Sequence, residues 1–301
     1  MIIVLVAELE ALLGEAGKLP ALPGAIIARG HERALDPSAY QAELLTGQPV
    51  AAAPISRLRD LPEACGEYWM RADPVALVPD LNAVWIRTGA CLEPGSPAAE
   101  ELAALFAEDG LRFELPLAER GYLKLDRLPD CHFQPPAALS GCSLDHVLPE
   151  GPDALRWKKL LSECQVLLHQ YQRRGETRAG GLWFWGPGVL PPRERLRPRV
   201  SHVAGLDPEL LGLADWLGLS HEPVTAPASV ADASLVCWTP DPGLSADDNL
   251  EHLNAWLKPL WRRLRRGRLD ALELAGTTRA WRLSPGRAWH FWRRATAPLP
   301  G

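Results

Sequence analysis

The side chains best able to bind a metal or act as nucleophiles are spread thinly through this chain. Its eight histidines (His31, His132, His146, His169, His202, His221, His252 and His290) never fall in an H-x-H or H-x-x-x-H spacing, so no local metal motif is written in them. The six cysteines (Cys65, Cys91, Cys131, Cys142, Cys164 and Cys237) contain no C-x-x-C pair and read as small hydrophobes in a reducing compartment. No phosphate loop, dinucleotide fingerprint or G-x-S-x-G is present. Ser38, ahead of an apolar helical stretch, reads as a capping serine; without a metal or a neighbouring base its hydroxyl is a poor nucleophile. Arg71 is a cation able to attract a phosphate or carboxylate. Arg262, Arg263, Arg265, Arg266 and Arg268, interleaved with Trp261, read as a solvated helix face or as a site for an anionic partner. A Ser/His/Asp constellation leaves no spacing signature, because its members are adjacent in space and not in sequence.

These groups need elements to position them. Ile2–Val6 is a β-branched run suited to a buried parallel strand. Residues 19–30 read as a short helix ended by Gly30, and 36–47 as another after the Ser38 cap. Tyr68 to Val75 starts a different order of segments: a helix from Pro97 to Phe106, then alternating strands over 111–115 and 122–125. The next helix carries Trp157, Leu160, Leu161, Cys164, Leu167 and Leu168 on one stripe and ends at His169. It leads into Gly180-Gly181-Leu182-Trp183-Phe184-Trp185-Gly186-Pro187-Gly188, a core strand with both tryptophans on one face and glycines at each end. Strand–helix alternation then resumes: a helix over 203–217, a strand over 235–238, an amphipathic helix over 247–264 and a strand over 269–274. The order predicts an α/β fold, a mostly parallel sheet flanked by helices from residues 1–66 and 190–301, with 67–189 inserted as an α+β domain.

A length of 301 residues allows two domains or one large one, and 47% hydrophobic residues with 12 tryptophans supply ample core. A formal charge of −5 argues against a nucleic-acid binder. The apolar start, Met1 to Ala7, lacks a basic region and runs into Glu8 and Glu10, so no signal peptide is expected. No apolar run is long enough to cross a bilayer. A cytoplasmic protein without membrane contact is the expectation.

Several blocks resemble one known family. The Trp183–Gly188 block is similar to the "W-L-W-G-Q-G" of the archaeal-type cofactor-independent phosphoglycerate mutases of the alkaline-phosphatase superfamily, and Asp36–Gly47 resembles their nucleophile-bearing "P-G-S-D-x-A-H-L". The closer likeness is to the RpfE-type regulatory branch, carried by Trp69-Met70-Arg71-Ala72-Asp73-Pro74-Val75, by Gly151–Trp157 and by Phe291-Trp292-Arg293-Arg294. The resemblance implies that Ser38 stands at the nucleophile position and that two Mn²⁺ or Zn²⁺ ions would surround it. Paired cations lower the pKa of the nucleophile and neutralise the phosphoryl group in flight. The positions implied as ligands, however, are Ala7, Ala39, Ser245, Gly276 and Thr277; Asp241 and Asp248 remain. The reading is therefore a mutase-like pseudoenzyme with no cofactor, serving as a regulatory or binding protein. Its partner would be another protein or a small anionic ligand, met through Arg71 and Asp241. The alternative is an active metal-dependent phosphomutase or phosphatase with relocated ligands.

Overall fold

The computed structural model describes residues 1–290 apart from 7, 38, 62–65, 82, 137–138, 140–141, 206 and 223–229. In chain order the first stretch carries β1 (Ile2–Val6), α1 (Leu9–Glu15), α2 (Ala21–Arg29), β2 (His31–Ala34) and α3 (Tyr40–Thr46). Next come α4 (Ala52–Asp60), β3 (Tyr68–Pro79), β4 (Val84–Arg87), α5 (Pro97–Glu108), β5 (Arg112–Leu117), β6 (Arg120–Leu125), α6 (Leu144–Val147), α7 (Ala154–Arg173) and β7 (Gly181–Val189). The last stretch holds β8 (His202–Ala204), α8 (Pro208–Leu217), β9 (Ser220–Glu222), β10 (Ser234–Trp238), α9 (Ala246–Arg265), β11 (Leu272–Ala275), β12 (Arg279–Leu283) and α10 (Pro285–Ala288). The chain divides into two compact units, Met1–Pro49 with Arg193–Gly301, and Val50–Pro192.

The fold is α/β. In the first unit seven strands form a sheet in the order β2-β12-β11-β1-β10-β8-β9. Strands β11, β1, β10, β8 and β9 run parallel, while β12 and β2 join antiparallel at one side. All five residues of β1 are buried, as a central parallel strand covered on both faces requires. Ile2, Val4 and Val6 share a core with Leu12 of α1, Ile26 of α2 and Leu250, Leu253, Leu257, Leu260 and Leu264 of α9. The α9 spacing keeps these leucines on one helical stripe.

The second unit is built on an antiparallel sheet, β4-β3-β6-β5, with β7 paired to β3 on its other side. Trp183 and Trp185 are 2% and 8% exposed. Helices α4 and α7 both pack on β7, and Phe184 meets Trp157 edge-on at 5.4 Å between ring centroids. Two of the flanking glycines have separate jobs. Gly186 takes a left-handed φ of 59°, and a Cβ on Gly188 would stand 2.2 Å from that of Ala51, so a side chain there would push α4 off the strand.

Several local readings change in the folded chain. The stretch expected as one helix over 203–217 is β8 followed by α8, because Val203 is drawn into the sheet beside Leu235. Asp207 then starts the helix afresh by accepting the Leu210 N–H at 2.9 Å, with Pro208 in the first turn. Helix α7 passes His169 and ends at Arg173. Gly30 closes α2 with φ −66°, so it is not there for a left-handed turn. Its missing Cβ would lie 2.6 Å from Ile26 O and 3.1 Å from Trp281 Cβ. Helix α3 starts at Tyr40 with Ala39 at the cap and no side-chain hydrogen bond; Ser38 lies outside the described residues. Among the described residues no helix is long and apolar enough to cross a membrane.

Candidate functional site at the carboxyl ends of the parallel strands

In open α/β sheets, ligands gather beyond the carboxyl ends of the strands, where the connecting loops meet. Here the loops after β1, β8, β10 and β11 make that edge. Glu8 leaves β1 in a left-handed conformation (φ 60°, ψ 24°), an unfavourable state for a residue with a Cβ. It turns the chain directly into α1 and places Glu10 in the first turn of that helix.

The Glu10 carboxylate is gripped by the turn between β11 and β12. One oxygen accepts the Thr278 N–H at 2.9 Å and the Thr278 hydroxyl at 2.8 Å. The other accepts the Thr277 N–H at 3.2 Å and the Thr277 hydroxyl at 3.4 Å. Burial alone would raise the pKa of Glu10, but these donors outweigh it and hold the carboxyl below its ordinary value. A Cβ at position 276 would lie 2.3 Å from both Glu10 oxygens, so the glycine and the carboxylate fit as a pair. Gly276→Ala is therefore expected to displace Glu10 and cost about 1–3 kcal/mol, and to be nearly neutral when Glu10 is already alanine. A double-mutant cycle by urea denaturation measures this coupling.

Further along the same edge, Tyr40 of α3 has its phenol pushed well above the ordinary range by burial, then by the negative charges of Asp207 and Glu209. Cys237 near the end of β10 is raised by burial and by Asp207. Glu209 accepts the Gln41 amide at 2.8 Å, and Asp207 caps α8. Gly205 brings the end of β8 against Cys237, where a Cβ would come within 2.7 Å. The result is a neutral phenol and a neutral thiol set among carboxylates.

The sequence-selected residues fall as follows. Ser38 and Ala7 lie outside the described residues. Asp241 shapes the loop from β10 to α9: its carboxylate accepts the Gly243 N–H at 2.8 Å, its own N–H donates to Asn249 Oδ1 at 2.8 Å, and its carbonyl accepts Asn249 Nδ2 at 2.9 Å. Ser245 caps α9, accepting the Asp248 N–H at 3.2 Å and donating to Asp248 Oδ2 at 2.7 Å. His290 follows α10, its N–H bonded to Arg287 O at 3.1 Å. Arg71 belongs to the other unit. It is 6% exposed, its guanidinium forks onto Asp73 at 2.9 and 2.8 Å, and it lies over the Trp185 ring at 4.9 Å. Trp185 donates to the same carboxylate at 2.7 Å. The Arg71 charge is thus already matched inside the protein. Among the described residues, no group of three or more His, Cys, Asp or Glu is placed to hold a metal ion.

Sequence reading missed Glu10 with Thr277 and Thr278, because partners some 267 positions apart leave no local signal. It also missed the Tyr40, Asp207 and Glu209 group, although the Asp207-Pro208 pair is a recognisable helix start.

No family model and no curated protein matches the chain. Among solved structures, it is similar to the cofactor-independent phosphoglycerate mutase from Thermoplasma acidophilum DSM 1728, at 16% identity and a TM-score of 0.42, covering 95% of this chain and 90% of that one. It is similar also to the PH0037 protein from Pyrococcus horikoshii, at 11% identity and a TM-score of 0.42, covering 94% of this chain and 87% of that one.

Proposed function

We propose that this chain is a phosphoglycerate-mutase-like protein without metal-dependent phosphoryl transfer, which acts by binding a protein partner or a small anionic ligand. The reading draws on the sequence blocks around Ser38, Trp69–Val75 and Trp183–Gly188. The observation that carries it is the Glu10 grip on the β11–β12 turn. Gly276 and Thr277 stand at the positions where the resemblance calls for an aspartate and a histidine. Gly276 has no side chain and no room for one while the Glu10 carboxylate is in place, and Thr277 commits both its N–H and its hydroxyl to Glu10. The turn is organised around a carboxylate of the protein itself. A two-metal site stripped of its carboxylates and imidazoles leaves cation charge uncompensated and loses affinity.

Nucleic acid and membrane are not the partners in this reading. Arg263 of the basic α9 tail bonds Val230 O at 2.7 Å and pairs with Asp232, and Arg265 stacks over Trp289 at 3.9 Å. Both are occupied within the chain.

The test is a coupled assay for interconversion of 2- and 3-phosphoglycerate and a phosphatase assay, each across Mn²⁺, Zn²⁺ and other divalent ions, beside Ser38→Ala. Metal content is measured on protein purified without added metal. The expected result is no metal-dependent turnover. Turnover that appears with metal and vanishes in Ser38→Ala would establish the competing reading, an active phosphomutase or phosphatase with relocated ligands.

A further inference from the structure

At the far side of the first unit's sheet, the parallel strands β8 and β9 set three chemically linked side chains in a row. His202 lies opposite Ser220, and Ala204 opposite Glu222. Side chains two apart on a strand share a face, so Ser220 and Glu222 flank the His202 imidazole. His202 Nδ1 is 2.7 Å from Ser220 Oγ, and His202 Nε2 is 3.1 Å from Glu222 Oε1. The second contact is close but lacks the geometry of an N–H···O hydrogen bond, and the Nε2 atom is buried. The row is reachable from solvent: Ser220 is exposed, and the His202 and Glu222 side chains are 19% and 44% exposed. His221, between the two on β9, turns to the opposite face and meets Asp215 of α8 at 2.7 Å.

We propose that Ser220, His202 and Glu222 form a nucleophile–base–acid relay that cleaves small neutral carboxylic esters. It is independent of the function proposed above. With the imidazole proton on Nε2, facing Glu222, the Nδ1 lone pair accepts the Ser220 hydroxyl. The roles are those of a serine–histidine–carboxylate triad with the ring reversed, and such triads are defined by geometry and not by order in the chain. Ser220 Oγ has a second acceptor, Ser201 O at 3.2 Å, but the imidazole is nearer.

In the first half-reaction Ser220 Oγ bonds to the ester carbonyl carbon while its proton passes to His202 Nδ1. The bond from carbonyl carbon to alkoxy oxygen breaks, and the same proton leaves with the alcohol. Water then attacks the acyl-serine, gives a proton to Nδ1, and the carboxylic acid departs as that proton returns to Ser220 Oγ. Glu222 is the positioning residue, facing the imidazolium in both halves. Glu222 O accepts the Gly205 N–H across the ladder at 3.0 Å, so by strand alternation the His221 N–H, next in the chain to Ser220, points away from β8. The carboxylate of Glu222 repels anionic substrates, which favours neutral esters over phosphate esters.

The experiment treats the full chain with a fluorophosphonate probe, maps the label by mass spectrometry, and follows hydrolysis of p-nitrophenyl acetate. Label on Ser220 is expected, with ester turnover falling about 100-fold in Ser220→Ala and in His202→Ala, the usual scale for losing a nucleophile's base. Glu222→Asp should keep most of the turnover that Glu222→Gln loses, a rescue that a merely structural carboxylate would not give. Labelling uses the unmodified chain, so it does not depend on how the variants fold. Label confined to other serines, or turnover unchanged in Ser220→Ala, overturns the proposal.

Discussion

Trp183→Ala is expected to lower the unfolding free energy by about 3–5 kcal/mol, the range for removing a large aromatic from a packed core. Trp183 is 2% exposed, and its indole N–H donates to Gln134 O at 2.9 Å. Truncation therefore opens a cavity and also leaves a carbonyl short of a donor. The position sits opposite Asp73 on β3, so relaxation into the hole must move one of the unit's central strand pairs. Trp183→Phe, which keeps most of the volume and loses the donor, should recover more than half of the loss. Denaturant melts followed by circular dichroism check both values. A cost well under 1 kcal/mol for the alanine variant would show that β7 is not packed as described.

Glu273→Gln is expected to destabilise the first unit by about 3 kcal/mol near neutral pH, since removing one partner strands the charges it balanced. Glu273, on β11, is fully buried. It binds Arg199 Nη2 at 2.7 Å and Arg33 Nη2 at 3.0 Å, and Arg33 also pairs with Glu43 at 2.5 Å. Burial pushes the Glu273 carboxyl up, but Arg199 and Arg33 pull it down further, and the net direction is below the ordinary value. A carboxyl with a depressed folded-state pKa contributes stability that is present above its unfolded value, about 4.3. That contribution is lost as pH falls through the lower folded value. The gap between the unmodified protein and Glu273→Gln should therefore be full at pH 7 and shrink in the acid range below about 4. Urea melts at pH 7 and pH 3 measure it. An equal gap at both would mean that the carboxylate charge is not what these arginines hold.

What the amino-acid order determined unaided is what local periodicity and local sterics can encode. Ile2–Val6 is apolar at every position, and an all-apolar run of that length fits a strand covered on both faces. The α7 and α9 patterns repeat at helical spacing: of the α7 stripe Trp157, Leu160, Cys164 and Leu168 are buried and Leu161 and Leu167 half-buried, and α9 buries Leu250, Leu253, Leu257 and Leu264 on its amphipathic face. The renewed strand–helix alternation after residue 200 announced the α/β class. Tertiary structure decided the rest wherever a residue's state depends on a partner far along the chain. Val203 became strand because β10 offered a parallel ladder. His31–Ala34, mostly exposed, carried no apolar pattern and became β2 only by pairing with β12.

The chemistry divides the same way. That Ala39, Ser245, Gly276 and Thr277 carry neither a carboxylate nor an imidazole was legible, because residue type is a local fact. That Gly276 is glycine to admit the Glu10 carboxylate was not legible, nor that Arg71 spends its charge on Asp73. Ser220 and Glu222 meet His202 only because β9 lies parallel to β8 in a register that puts Ser220 opposite the histidine. A hydrogen bond needs atoms within about 3 Å, and distance of that kind is created by the fold. Sequence spacing carries it only inside a single helix, strand or turn.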